Sequence, residues 1–351
     1  MSDGPKRPPV RLSDVAKRAR CSAATVSRVL NAPDTVNRDA RVRVEAAVRD
    51  LGYTRNGAAR ALRSRRSQIV GTILPTLKQP IYVDFIGALQ DALAQRNYSL
   101  IVTTSEYSLD REVLQARLLA ERGIDGLVLI GHTHRPELHE LMQAQDLPYV
   151  MTYTFRPELG RPVIGFNNFA AMALVVDHLV GLGHRDFAML AGSPDQNDRV
   201  EERINGAVAA LNARGLALPP ARIVEGAFTI EGGRRGLRRL IDAGHLPTAL
   251  ICTSDVLAQG ALIECRASGI AVPSDLSVTG FDDLQDAAHL LPALTTLAIS
   301  ARQMGRLAGE YLLARFAGRS HAEQIPIETR LVRRDTTAAP RDPSRMAVNR
   351  R

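Results

Sequence analysis

A chain of 351 residues with 45% hydrophobic side chains is long enough for two or more domains and apolar enough to bury real cores, which excludes a mainly disordered protein. No run of about 18 apolar residues occurs, and the leading MSDGPKRPPVR has no apolar segment after its charges; the expectation is a cytoplasmic protein without a membrane span or secretory signal. The net charge of +8 is segregated, with 16 Lys and Arg against 6 Asp and Glu in residues 1–67 and 29 against 31 in the rest, so a polyanion partner is expected for the N-terminal segment alone.

The first patterned stretch is LSDVAKRARCSAATVSRVLN, Leu12 to Asn31. Val15, Ala16 and Ala19 fall on one face of a first helix and Val26, Val29 and Leu30 on one face of a second, the spacing that buries a stripe. Ser22 is placed to cap the second helix by accepting a bond from a first-turn N–H. The opposite face carries Ala23, Ala24, Ser27, Arg28 and Asn31, small, polar and basic, a shape that enters a DNA groove. Ala32-Pro33-Asp34 breaks the pattern, and Asn37 caps a third helix from Arg38 to about Leu51, stopped by Gly52. Residues 1–54 thus read as an N-terminal arm and an all-α helix-turn-helix domain. In residues 55–67, Asn56 can cap a short helix whose only large apolar residue is Leu62 and which carries four arginines from Arg60 onward. Such a helix is marginal alone and would order on meeting its partner.

From Gln68 short apolar runs alternate with helical periodicity: Ile69 to Leu74, Tyr98 to Val102, Gly126 to Ile130, Tyr149 to Thr152, Val163 to Phe166, Phe187 to Leu190, Ile223 to Val224, Ala249 to Cys252 and Leu276 to Val278. Strands joined by helices imply parallel sheets covered on both faces. About ten such units over residues 68–335 suit two sheets, with a ligand crevice at the carboxyl ends of the strands. Residues 336–351 lack periodicity and read as a frayed, disordered tail.

Val15-Ala16, Ser22, Thr25 to Asn31, Leu51-Gly52-Tyr53 and Ala59-Arg60 with Leu62 form one ordered series in the N-terminal part. The core adds Gly183-His184-Arg185, Arg203 with Gly206, Ser254-Asp255 with Ala258 and Gly260, Gly280-Phe281-Asp282-Asp283 and Leu294-Thr295-Thr296. This series, over about residues 10–335, resembles the LacI/GalR family of bacterial transcription regulators. The resemblance implies a headpiece, a hinge helix and an α/β two-lobed core like the type I periplasmic sugar-binding proteins. The chain would cross between lobes three times, and one lobe would hold about residues 69–184 with 298–322. It also implies a homodimer on a palindromic double-stranded operator, and a ligand-responsive repressor of carbohydrate or sugar-acid catabolic genes. No enzymatic activity, cofactor or membrane partner is implied, and the tail has no leucine heptad for a tetramer.

By the same resemblance, Ala23, Ala24 and Arg28 touch base edges. Two alanines offer only methyl contacts, whereas an arginine can pair bidentately with guanine O6 and N7. Ser22, Thr25 and Asn31 are read as caps or phosphate contacts, with Ser27 on the same face. Leu62, flanked by Ala59 and Arg60 and preceded by the hinge Asn56, matches the family's minor-groove wedge; Arg55 stands where many members have proline. The effector would lie between the lobes against Arg203 and Asp282, with Ser254 and Asp255 beside a strand end and Phe228 stacking on it. Asn167 and Ser254 depart from the aspartate and asparagine common at those places. Asp255 also reads as a helix-capping residue. LPTLKQPIYVDFIGAL, GHTHRPEL and VIGFNNFAA resemble the gluconate-operon repressor branch, for which an acidic sugar would suit Arg203.

A different class of reading is an α/β sugar-metabolising enzyme carrying a basic arm. Against it, no Walker loop or strand-linked GxGxxG occurs, and Gly232-Gly233-Arg234-Arg235-Gly236 falls in a helical stretch. Cys21, Cys252 and Cys265 form no CxxC pair and read as small core residues. His132 and His134, one apart after a strand, read as loop polarity or ligand hydrogen bonding, since a metal would need further ligands.

Overall fold

A computed structural model describes residues 10–54, 66–244 and 246–341, apart from the side chain of Asn31. The hinge residues Asn56, Ala59, Arg60 and Leu62 lie outside the described residues. The chain divides into two units, residues 1–67 and 68–351.

The first unit holds α1 (Leu12–Arg18), α2 (Ala23–Asn31) and α3 (Arg38–Leu51). Val15, Ala16, Ala19, Val26, Val29, Val44 and Ala47 close its core, which follows the helical spacing of the sequence. Ser22 Oγ accepts from Thr25 N at 3.1 Å, Asn37 Oδ1 accepts from Asp39 N at 2.8 Å, and Gly52 ends α3 at φ +61°. A core of this size needs its edges tied. Arg18 pairs with Asp50 at 2.7 Å, and Arg43 Nε donates to the Ala19 carbonyl at 3.3 Å.

The second unit contains two six-stranded sheets. The first has the order β11-β5-β4-β3-β1-β2, built from β1 (Ile69–Leu74), β2 (Ser99–Thr104), β3 (Gly126–Ile130), β4 (Tyr149–Thr152), β5 (Val163–Gly165) and β11 (Gln324–Pro326), all parallel. Alternate strand residues face opposite layers. Val70, Val128 and Val150 meet Phe85 and Leu89 of α4 (Ile81–Ala94) and Met304 and Leu312 of α11 (Ala301–Phe316). Ile73, Leu127 and Leu129 meet Val113 and Leu119 of α5 (Leu109–Glu121) and Leu138 and Met142 of α6 (Pro136–Ala144).

The second sheet runs β12-β10-β9-β8-β6-β7, from β6 (Phe187–Gly192), β7 (Ile223–Gly226), β8 (Ala249–Cys252), β9 (Ser277–Asp282), β10 (Thr295–Ala298) and β12 (Arg330–Val332). Helices α7 (Asn168–Gly181) and α8 (Asp198–Asn212) pack together on it, as do α9 (Ile230–Asp242) and α10 (Asp255–Ala267). The last two approach so closely that a Cβ on Gly233 would meet Leu257 O and the Gly260 Cα. The glycine-rich run is therefore a helix-packing face.

Three expectations change. The lobe boundary falls at residues 166–167, not near 184, because α7 packs on α8 and on strands of the second sheet. Strands β10, β11 and β12 escaped periodicity: the last two have three residues each, with no fully buried position, and β12 runs antiparallel to β10. Residues 336–341 are docked rather than frayed. Thr336 is fully buried and bonds Val278 O at 2.7 Å, and Arg341 pairs with Asp275 at 2.6 Å. His184 pins this segment, its Nε2 reaching Ala338 O at 2.9 Å and Ser277 Oγ at 3.0 Å and its Nδ1 reaching Thr248 Oγ1 at 3.0 Å.

Cys252 and Cys265 are buried and unpaired, and burial pushes the Cys265 thiol up to about 12. Among the described residues no helix is long and apolar enough to cross a membrane. His184→Ala should cost about 1–3 kcal/mol by leaving buried partners unsatisfied. Thermal melts should show a lower Tm, and limited proteolysis earlier cleavage within residues 336–341; an unchanged melt would show that the tail docks without His184.

Candidate DNA-reading face and interlobe cavity

On α2, Ser22, Ala23, Ala24 and Arg28 are exposed and Thr25 and Ser27 half-exposed, while Val26 and Val29 are buried. The face follows from helix periodicity: what the core does not take points outward. Ser22 Oγ lies 2.9 Å from Thr25 Oγ1, so both hydroxyls sit at the N-terminal end of the helix, where backbone N–H groups attract phosphate.

In the core, a cavity of about 40 Å³ lies where the carboxyl ends of the two sheets face each other. Arg203, Phe228, Ser254 and Asp282 line it, four of the six residues expected there. Toward the surface it continues, through Gln79, Tyr107, Asn197 and Phe228, into a space of about 540 Å³. Arg203 is only 6% exposed. Its Nε donates to Asn168 Oδ1 at 2.9 Å, its Nη1 donates to Thr253 O at 2.7 Å, and its guanidinium carbon stands 3.6 Å from the Phe281 ring centroid. Burial lowers its pKa against the pull of Asp282. Burial also pushes the Asp282 carboxyl up to about 7, with Arg203 acting in the opposite direction. Phe228 rests on Gly192 at the end of β6, where any Cβ would collide with the ring.

Two expected residues are placed elsewhere. Asp255 is fully buried, accepts from Thr296 Oγ1 at 2.5 Å and Leu284 N at 2.7 Å, and does not line the cavity. It ties the turn after β9 to β10, and burial, then the nearby Asp282, raises its pKa well above the usual carboxylate range. Asn167 caps α7, accepting from Ala170 N at 2.9 Å, and lines a separate space of about 620 Å³ with His132 and Asp198. Ser254 lines the inner cavity while capping α10 through Leu257 N at 3.3 Å. His134 bonds Glu112 at 2.8 Å and His132 bonds Thr154 at 2.9 Å.

Several lining residues were missed. Arg199 sits four residues before Arg203, hence on the same face of α8, and is 8% exposed. Tyr107 and Tyr153 follow the ends of β2 and β4, and both have positive φ, +62° and +61°. Asp282 is also at positive φ, +120°. Three lining residues thus hold conformations that cost backbone strain. Tyr82 meets Tyr153 edge to face at 5.3 Å. Asn197, 4% exposed, leaves Oδ1 buried without a hydrogen-bond donor.

Comparison with known proteins decides the family. Residues 11–56 match the bacterial regulatory proteins of the lacI family and residues 176–337 a periplasmic binding protein-like domain. The chain is 33% identical to the transcriptional repressor CytR of Escherichia coli K12 over 308 residues, covering 88% of this chain and 90% of that one. The chain belongs to the LacI family. It is 33% identical to the HTH-type transcriptional regulator MalR of Streptomyces coelicolor over 341 residues, 94% and 97% of the two chains. The Lac repressor dimer bound to operator and the anti-inducer ONPF superposes with TM-score 0.83 at 27% identity, covering 95% of this chain and 100% of that one. A LacI-family protein from Silicibacter pomeroyi shares the fold at TM-score 0.86, covering 94% and 100% at 22% identity. A LacI-family chain is a DNA-binding transcriptional regulator and not an enzyme, which sets aside the enzyme reading.

Asp255→Ala should cost about 1–3 kcal/mol by orphaning the Thr296 hydroxyl and Leu284 N–H. The check is calorimetry on the full chain. A core transition at the wild-type temperature would deny Asp255 this structural part.

Proposed function

We propose that this protein is a repressor of carbohydrate or sugar-acid catabolic genes, binding a palindromic operator as a homodimer and releasing or holding it according to an effector bound between its lobes. The operator-bound Lac repressor dimer, similar over nearly the whole chain, supports the assembly. The observation that carries the ligand reading is the pair of buried arginines on one cavity wall. The hydrogen bonds of Arg203 run from Nε and Nη1 and those of Arg199 from Nη1, and Nη2 of each is the donor proposed for a ligand acceptor. A carboxylate of a sugar acid has the charge and geometry for them. With Tyr82, Tyr107, Tyr153 and Phe228 around it, a polyol body would have flat apolar faces to rest on. Arg203 and Asp282 are the proposed polar anchors, Phe228 the stacking ring and Ser254 a further polar contact, and Arg199 joins them. Asp255 and Asn167 act instead by holding the backbone of the cavity.

On DNA, Arg28 would pair with guanine, Ala23 and Ala24 would meet thymine methyl groups, and Ser22, Thr25, Ser27 and Asn31 would orient the helix on phosphates. Asn56, Ala59, Arg60 and Leu62 would form the hinge, with Leu62 the minor-groove wedge.

Selection from a random duplex pool should return a two-fold symmetric site with half-sites about one helical turn apart. Binding should fall steeply with salt, and Arg28→Ala should lose about 1–3 kcal/mol of preference for that site over a scrambled duplex. Equal affinity of the wild type for the two duplexes would end the repressor reading.

For the cavity, a thermal-shift screen of sugars and sugar acids should find a compound that raises Tm, by about 2.7 kcal/mol of stabilisation at a hundred times Kd. Asp282 loses its negative charge as pH falls through about 7, which removes repulsion against an anionic ligand. A sugar acid should therefore bind more tightly at pH 6 than at pH 8, and Asp282→Asn should flatten that dependence. A neutral sugar binding equally at both pH values would redirect the ligand reading.

A further inference from the structure

The carboxyl end of β3 belongs to the first lobe and the N-terminal turn of α8 to the second, yet the two are joined by hydrogen bonds between charged side chains of α8 and the backbone after β3. Asp198, 5% exposed, accepts from the backbone amides of His132 and of Thr133, the latter at 2.8 Å, and lies 3.0 Å from His132 Nδ1. Arg199 donates through Nη1 to Asp198 Oδ1 at 2.6 Å and to the Ile130 carbonyl at 3.3 Å. Between these contacts sits Gly131, at φ +89°, where a Cβ would land on Arg199 Nη1 and the Asp198 carboxylate. The missing side chain is what lets the pair reach the strand end. Other bonds also cross between the lobes: Gln79 Nε2 to Phe228 O, Leu109 N to Gln196 Oε1 and Asn168 Nδ2 to Tyr153 O, each at 2.9 Å, and an ion pair of the half-exposed Arg156 with Glu202, also at 2.9 Å; the contacts of Asp198 and Arg199 differ in being both charged and buried and in converging on one strand end.

We infer that Asp198 and Arg199 form an interlobe latch that holds the lobes together at the narrow inner end of the cleft. The inner cavity of about 40 Å³ is far below the roughly 300 Å³ and upward of a small-molecule site and adjoins the space of about 540 Å³, so a ligand drawn in against Arg203 has to widen that narrow inner end, by a parting of the lobes or a shift of its walls. Arg199 belongs both to the latch and to the cavity wall. A ligand acceptor that draws its guanidinium away from Ile130 O loosens the same bonds that close the lobes. Binding and lobe position are thereby coupled through one side chain. This consequence rests on the effector reading of the cavity; the latch itself does not.

The test reads lobe separation in the ligand-free full chain. Spin labels at Glu121→Cys on α5 and Arg239→Cys on α9, in a Cys21→Ser background and diluted into excess unlabelled chain, report the intramolecular distance. The wild type should give a narrow distribution. Asp198→Asn and Arg199→Met should each shift it to longer, broader distances, and the double variant should go no further than the singles, because the two residues act as a unit. Should Asp198→Asn fail to fold, Gly131→Ala attacks the latch from the other lobe and should give the same shift. A folded variant with the wild-type distance, or a wild type already broad, overturns the latch. A ligand screen without a hit would count against the effector reading and leave these distances standing, whereas a hit with unshifted distances would remove the latch and keep the effector site.

Discussion

Two guanidinium groups buried one turn apart on a single helix set the terms for the core. Leaving a charge in a protein interior without partners costs several kcal/mol, so each arginine has to be surrounded by acceptors. Arg203 recruits the side chain of Asn168, the carbonyl of Thr253 and the face of Phe281. Asn168 in turn donates to the Tyr153 carbonyl at 2.9 Å, which carries the constraint into the loop after β4. Arg199 recruits its neighbour Asp198 and the end of β3. Burial opposes the ionised form of Asp198, but Arg199, the His132 ring and two backbone amides outweigh it and hold its pKa below the usual range. The cavity wall is thus fixed by the need to keep two cations satisfied.

Backbone strain lies beside that network. Tyr107, Tyr153 and Asp282 adopt positive φ without being glycine, Asp282 as the last residue of β9 and the two tyrosines in the loops that follow β2 and β4. Such conformations cost of order 1–3 kcal/mol apiece and persist only where the surroundings over-determine them. Here the surroundings are a buried ion network and aromatic edges. Asp283, also at positive φ, is held by Arg334 at 2.7 Å, so the strained turn after β9 is anchored on the side away from the cavity.

Legibility in the sequence followed burial pattern. The three headpiece helices were readable almost to the residue, because Ser22, Asn37 and Gly52 are caps with plain chemistry and the apolar stripe is narrow. Runs such as Ile69 to Leu74 and Ala249 to Cys252 were readable because strands covered on both faces are continuously apolar. The short edge strands β11 and β12 bury too little to leave a pattern, and the docked tail is held by hydroxyl and carbonyl bonds that have no periodicity. In the site, Arg203, Phe228, Ser254 and Asp282 were legible through family resemblance and strand-end position. Asp255 is the instructive case: a conspicuous acid after a strand whose oxygens are both taken by its own fold. Tyr107 and Tyr153 could not be found, since their role depends on backbone angles that no residue type announces.

The interleaving of the lobes bears on how the protein is made. The first sheet lacks its edge until Gln324–Pro326 arrives, and one of its covering helices is Ala301–Phe316. A ribosome delivering residues in order would have produced nearly all of the second lobe before the first could close. The first lobe's apolar face, against which α11 packs, would wait uncovered through some 135 residues of synthesis, reckoned from the end of β5 at Gly165 to the start of α11 at Ala301. Nascent chains of this protein are therefore natural clients for chaperones that shield hydrophobic surface, at a stage when the three headpiece helices, encoded first, can already be complete.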